Sequence, residues 1–117
     1  MKLYLIRHGK TDWNIQGKIQ GSHDIPLNDT GRAQAKLVAE GMDSRPVTKV
    51  FSSTLVRAVA TARMIGDRQQ VETYLVPGLI AVEFGKWEGL TWAAIKEQYP
   101  AEYERWSTNP VDGEAPG

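Results

Sequence analysis

Leu3, Tyr4, Leu5 and Ile6 form a run of four apolar residues that stops abruptly at Arg7-His8-Gly9. Four residues are too few for a useful helix, and the run has no alternating polar face. The pattern therefore predicts a strand covered on both sides in a parallel sheet. A cation, an imidazole and a flexible glycine follow, and Thr11-Asp12 can then cap a helix. Ligands in open α/β sheets gather just beyond the carboxyl ends of strands, where His8 is expected. The plainer reading of the same residue is a histidine on a surface loop.

Downstream, the same kind of unit recurs. Thr11 to Ile15 predicts a short helical turn, and Gly17 to Gly21 a loop. Ile25, held out of helical geometry by Pro26, leads to Asn28 as an N-cap. Ala33, Leu37, Val38 and Met42 have helical spacing, with Gly41 near the end. Val47 to Phe51 predicts a second strand. Ser52-Ser53-Thr54 then opens a helix carrying Leu55, Val59 and Ala62 on one face, with Arg57 in its first turn and Gly66 at its close. A third strand fits 71–76.

Strand, helix, strand, helix, strand implies right-handed crossovers and a mostly parallel sheet with helices on both faces, a three-layer α/β/α fold. Two strand ends then converge, one bearing Arg7 and His8, the other Arg57. Residues 1–76 form the expected α/β core of a single domain spanning 1–117, and 77–117 an aromatic helical cap region. In the latter, Trp87, Trp92, Tyr99, Tyr103 and Trp106 crowd a helical stretch broken at Pro100. Such a stripe predicts core packing.

Composition narrows the function classes. The 117 residues suit one domain with a modest core. Fourteen basic and fourteen acidic residues cancel, so no global charge favours nucleic acid or a membrane surface. With no cysteine there is no disulfide or thiolate metal site, and a reducing cytoplasm is the expected setting. The short first apolar run lacks a signal-peptide layout, and no stretch approaches a bilayer span. No metal or cofactor is expected, and nothing sets an oligomeric state.

Two arginines and a histidine at helix starts make a phosphate site with a nucleophile inside it. Guanidinium groups grip phosphate oxygens through paired hydrogen bonds that lysine cannot match. Helix-start N–H groups add donors. A neutral imidazole can attack phosphorus and divide hydrolysis into two easier steps. A small phosphorylated metabolite or inorganic phosphate is the partner this chemistry predicts.

At this point a resemblance becomes specific. Arg7-His8-Gly9-Lys10-Thr11 with Asn14 resembles the RHGxTxxN signature of the histidine phosphatase superfamily, also called phosphoglycerate mutase-like. Gln20-Gly21, Asp24-x-Pro26-Leu27-Asn28-x-x-Gly31-x-x-Gln34-Ala35, Ser52-Ser53-Thr54-Leu55-x-Arg57-Ala58-x-x-Thr61-Ala62 and Phe84-Gly85-x-Trp87-Glu88-Gly89 match its following blocks in order. The resemblance implies that His8 is the phosphorylated nucleophile and that Arg7 and Arg57 clamp phosphate. It implies that Asn14, Gln20 and Gly21 line the substrate site; Glu83 is expected among the substrate-binding residues as well. His23 falls outside the motif and reads as a loop residue; Glu88 reads as local support.

The chain also departs from the family pattern. Where the family carries a catalytic carboxylate, three residues before Phe84, stands Ala81. Losing that acid costs roughly 10²–10⁴-fold in general acid–base catalysis. Glu83 lies about 6–7 Å further along an extended chain, too far for simple replacement. The family's second active-site histidine, on a later strand, has no counterpart, so the chain is expected to be the front part of a larger catalytic domain. The Phe-Gly-x-Trp-Glu-Gly form resembles the phosphatase branch, which includes α-ribazole phosphatases. Phosphomonoester hydrolysis is thus the expected activity. The alternatives are phosphoglycerate mutase-type transfer and a silent phosphate-binding or interaction module.

Overall fold

The computed structural model describes residues 1–79 and 83–108. It is mixed α/β with parallel strand pairing, and divides into two compact units. The first comprises Met1–Thr11 and Ile25–Ile80, the second Asp12–Asp24 and Ala81–Gly117. Among the described residues no helix is long and apolar enough to cross a membrane.

In the first unit, helix α2 (Asp29–Gly41) starts where Asn28 accepts the Gly31 N–H on its side-chain oxygen at 2.7 Å, as an N-cap should. Gly31, Ala35 and Ala39 form its buried face. These residues are small and spaced by four, so α2 packs against helix α3 (Val56–Gln69) along a stripe that allows close approach. Strand β1 (Val50–Ser52) precedes α3 and β2 (Thr73–Leu75) follows it. The strands pair in parallel with Val50 opposite Thr73 and Ser52 opposite Leu75, a βαβ unit with α3 packed on both strands.

Two expectations are overturned here. Residues 3–6 are not a strand: none pairs with a neighbour, and Leu3 and Leu5 are 80% and 88% exposed. An apolar run becomes a buried strand only when partners flank it, and among the described residues the sheet consists of β1 and β2 alone. Nor does Gly66 close α3, which runs on to Gln69 and ends at Gln70 in the left-handed region (φ 57°). Gly66 instead lies inside the helix. A Cβ there would meet the Thr73 hydroxyl oxygen at 2.6 Å and the Val71 carbonyl oxygen at 2.9 Å, so its smallness lets the helix lie against the chain entering β2.

The second unit holds α1 (Asp12–Ile15), α4 (Trp92–Gln98) and α5 (Pro100–Thr108), with a 3₁₀ turn at Gly85–Trp87. Thr91 caps α4 by accepting the Ala94 N–H at 3.1 Å. Pro100 takes the first position of α5, where its missing N–H costs nothing. Ile19, Trp87 and Ile95 form the core, lined by Phe84, Leu90, Tyr99, Tyr103 and Trp106. The aromatic stripe packs as the spacing predicts, and Trp92 stacks on Trp106 at 4.9 Å between ring centres.

Candidate functional site

In the first unit, Arg7, His8 and Gly9 leave the leading segment beside α2 and α3. The His8 ring is half-buried, Arg7 is exposed, and Arg57, in the first turn of α3, is only 2% exposed. Arg7, His8, Gly9 and Thr61 line an open cleft of about 360 Å³ together with Gln34, Ala35, Leu37 and Val38 of α2; Arg57 does not line it. That volume lies at the lower end of the range for small-ligand sites.

Backbone geometry places the imidazole. A Cβ on Gly9 would lie 2.3 Å from the Gly31 carbonyl oxygen, and one on Gly31 would lie 2.0 Å from the Lys10 carbonyl oxygen. Only a glycine-on-glycine crossing lets the chain after His8 pass this close to the start of α2. The Gly9 N–H donates to the Thr61 hydroxyl at 3.1 Å, and that hydroxyl donates to the Arg57 carbonyl at 2.9 Å. The Lys10 N–H donates to Gln34 Oε1 at 3.0 Å, and the Lys10 carbonyl accepts the Asn28 N–H at 3.0 Å. Thr11, fully buried, bridges Leu27 in antiparallel fashion.

The ring itself is fixed by a 2.6 Å contact between His8 Nδ1 and the Gly9 carbonyl oxygen. A carbonyl can only accept, so Nδ1 carries the proton and Nε2 keeps its lone pair in the neutral ring. Burial lowers the His8 pKa, the Gly9 hydrogen bond pushes back upward, and the charges of Arg57 and Arg7 lower it again; the net shift is downward from 6.5. A neutral, single-tautomer imidazole in a positive field can act as a nucleophile toward an anion.

The remaining sequence-predicted residues belong to the second unit. Asn14 lies in α1 and is half-buried, while Gln20 is buried in the loop that follows. Gly21 is left-handed (φ 53°), and a Cβ there would fall 2.7 Å from the Glu88 carboxyl carbon. Glu83 is exposed. Ala81 lies outside the described residues.

Glu88, expected to be local support, proves to be the hub of this loop. Its carboxylate, with a side chain 4% exposed, accepts from the Ser22 N–H at 2.9 Å and the Ser22 hydroxyl at 3.1 Å. It also accepts from the His23 N–H at 3.1 Å, His23 Nδ1 at 2.6 Å and the Phe84 N–H at 3.3 Å. Burial would raise its pKa, but the hydrogen bonds from His23, Ser22 and Phe84 outweigh this and hold it below the ordinary value. His23 is a loop residue, as expected, and its ring leans on Trp13 at 5.1 Å. Among the described residues no three His, Asp or Glu side chains gather to hold a metal ion.

Sequence reasoning assigned no role to Gln34 and Thr61, although both stood within matched blocks. One cue was available for Thr61: it follows the buried Arg57 by one helical turn on the same face.

The sequence profile of the Histidine phosphatase superfamily (branch 1) matches residues 3–117. Phosphoserine phosphatase 1 of Hydrogenobacter thermophilus is 33% identical over 110 residues, covering 94% of this chain and 52% of the relative. Phosphoglycerate mutase-like protein 4 of Arabidopsis thaliana is 36% identical over 118 residues, covering 99% of this chain and 51% of its own length. The crystal structure of the alpha-ribazole phosphatase from Shigella flexneri superposes with a TM-score of 0.83 at 28% identity, over 94% of this chain and 55% of that one. The chain thus spans about half the length of the curated relatives it matches.

Proposed function

The chain belongs to the histidine phosphatase superfamily, branch 1, and from that premise we propose that it carries the phosphoryl-accepting histidine of a phosphomonoesterase acting on a small phosphorylated metabolite. The observation that carries this reading is the Nδ1 contact to Gly9, which leaves Nε2 as the lone-pair nitrogen of His8. In the first step Nε2 bonds to phosphorus while the phosphorus–oxygen bond to the alcohol breaks, and the alkoxide takes up a proton. In the second, water attacks phosphorus and releases a proton to solvent, the nitrogen–phosphorus electrons return to Nε2, and phosphate leaves. Arg7 and Arg57 offset the charge on the phosphoryl oxygens in both steps.

Asn14, Gln20 and Gly21, by the family pattern, and Glu83 beside them are assigned to substrate contacts. A cytoplasmic setting, where small phosphorylated metabolites are made, is part of the same proposal. With Ala81 at the acid position the departing alkoxide must draw its proton from water, which penalises alkyl phosphates far more than aryl phosphates. Ala81 also favours a second reading, a phosphate-binding module that turns over little or not at all.

Incubation with an aryl phosphate, followed by mass spectrometry at neutral pH, separates the two readings. The proposal expects one phosphoryl group on the peptide containing His8, none in His8→Ala, and normal labelling in His23→Ala. Anion binding with no label on His8 supports the silent module. Label on His23 instead of His8 refutes the assignment.

A further inference from the structure

Gly9 presents a physical problem that the roles above leave unsolved. The close crossing with Gly31 excludes any side chain at position 9, yet glycine is the residue least able to hold a backbone direction. The direction matters, because the carbonyl that fixes the His8 tautomer belongs to Gly9 itself. Both peptide groups flanking Gly9 are held from outside. The peptide before it offers its N–H to the Thr61 hydroxyl of α3, and the peptide after it offers the Lys10 N–H to Gln34 Oε1 of α2.

In a trans peptide the N–H and C=O point in opposite directions. Gln34, by holding the Lys10 N–H, therefore aims the Gly9 carbonyl away from itself and toward the imidazole. Thr61 is buried, and its hydroxyl spends its own proton on the Arg57 carbonyl, so one oxygen references the histidine loop to the turn that bears the arginine.

We infer that Gln34 and Thr61 are positioning residues that set the tautomer and aim of His8 by clamping the two peptide groups around Gly9. Their hydrogen bonds go to the Gly9 and Lys10 N–H groups and not to the His8 ring. The inference rests on the phosphohistidine reading for its consequence in rate, but the tautomer it asserts is measurable without any reaction.

The test uses the full chain, and its two histidines make the imidazole signals easy to assign. In the wild type, ring nitrogen chemical shifts of the neutral His8 should report the Nδ1–H form. Gln34→Met keeps the length and loses the acceptor on a half-buried side chain; Thr61→Val keeps the shape and loses the hydroxyl. Both are expected to give a mixture of tautomers. Labelling of His8 by an aryl phosphate should slow by about 10- to 100-fold, as for reacting groups displaced by up to an ångström. The half-saturating concentration should change by less than about threefold, and Thr61→Ser should recover most of the rate.

Variants that keep a pure Nδ1–H form and the wild-type labelling rate overturn the inference, as does Thr61→Ser behaving like Thr61→Val. Should Thr61→Val fail to fold, Gln34→Met decides alone. If the tautomer responds while the wild-type chain takes no label, the clamp stands and the phosphohistidine reading fails. If the wild type is labelled while the tautomer ignores both variants, the reverse holds.

Discussion

Gly31→Ala sets two ordinary effects against each other, and the structure decides between them. By helix propensity alone, alanine inside α2 should gain about 1 kcal/mol over glycine. The new methyl carbon, however, would sit 2.0 Å from the Lys10 carbonyl oxygen, 2.8 Å from its nitrogen and 2.9 Å from its carbonyl carbon. An ordinary C···O contact is roughly 3.3 Å, so the chain after His8 must retreat by more than an ångström. All three neighbours are backbone, and no side-chain rotation relieves the clash. Overpacking of this kind costs about 1–3 kcal/mol, occasionally more.

A retreat also strains the hydrogen bonds that hold Lys10 to Asn28 and Gln34. Gly41→Ala is the matched control, since a Cβ there meets nothing within 4 Å. Thermal unfolding followed by circular dichroism should show Gly41→Ala melting at or up to about 4 °C above wild type. Gly31→Ala should melt about 4–10 °C below it if overpacking outweighs propensity by about 1–2 kcal/mol. Phosphoryl labelling of His8 should fall by about 10²-fold in Gly31→Ala and stay unchanged in the control. A Gly31→Ala chain that melts no lower than wild type and labels at full rate would show that the crossing does not position His8.

Other expectations follow from the buried charges. Glu88→Ala strands the donors of Ser22, His23 and Phe84, and hydrogen bonds to a charged group are worth about 1.5–3 kcal/mol; with water replacing some of them, a loss of about 2–4 kcal/mol is expected by thermal or urea unfolding. Because the Glu88 pKa is depressed on folding, its contribution is present above the unfolded carboxyl value and is lost as pH falls through the lower folded one. Wild type should therefore converge on Glu88→Gln in melting temperature toward strongly acidic pH. His8 is also depressed, so folding favours the neutral ring. That contribution is full above about 6.5 and disappears as pH falls through the lower folded value. Melting curves from pH 7.5 to 5 should show wild type losing stability relative to His8→Asn. Ala81→Glu should raise alkyl phosphate turnover by about 10²–10⁴-fold, with a smaller gain on aryl phosphates; equal gains on both would argue against a proton-donor role.

Features written in local chemistry are legible in the sequence itself. Asn28 caps α2 because a short polar side chain reaches an N–H three residues on, and that needs no distant partner. Arg57 falls in the first turn of α3 and the strands on either side of α3 pair in parallel, both readable from a polar turn between apolar runs. Whether residues 3–6 find a partner is not legible in the same way: strand-like in isolation, they form no ladder. Gly66 was misread because a glycine ends a helix or admits a neighbour, and only the neighbour decides which. The roles of Gln34 and Thr61 were hidden for a similar reason: each depends on which peptide group it meets across the fold.

The contrast between residues 3–6 and residues 9–11 has a consequence for how this chain tolerates change. The imidazole is referenced forward, to two packed helices, and owes little to the exposed apolar residues ahead of it. In this 117-residue chain, substitution at Leu3 or Leu5 should therefore leave the His8 ring in place. Drift on the facing sides of α2 and α3 moves it even when every motif letter around His8 survives.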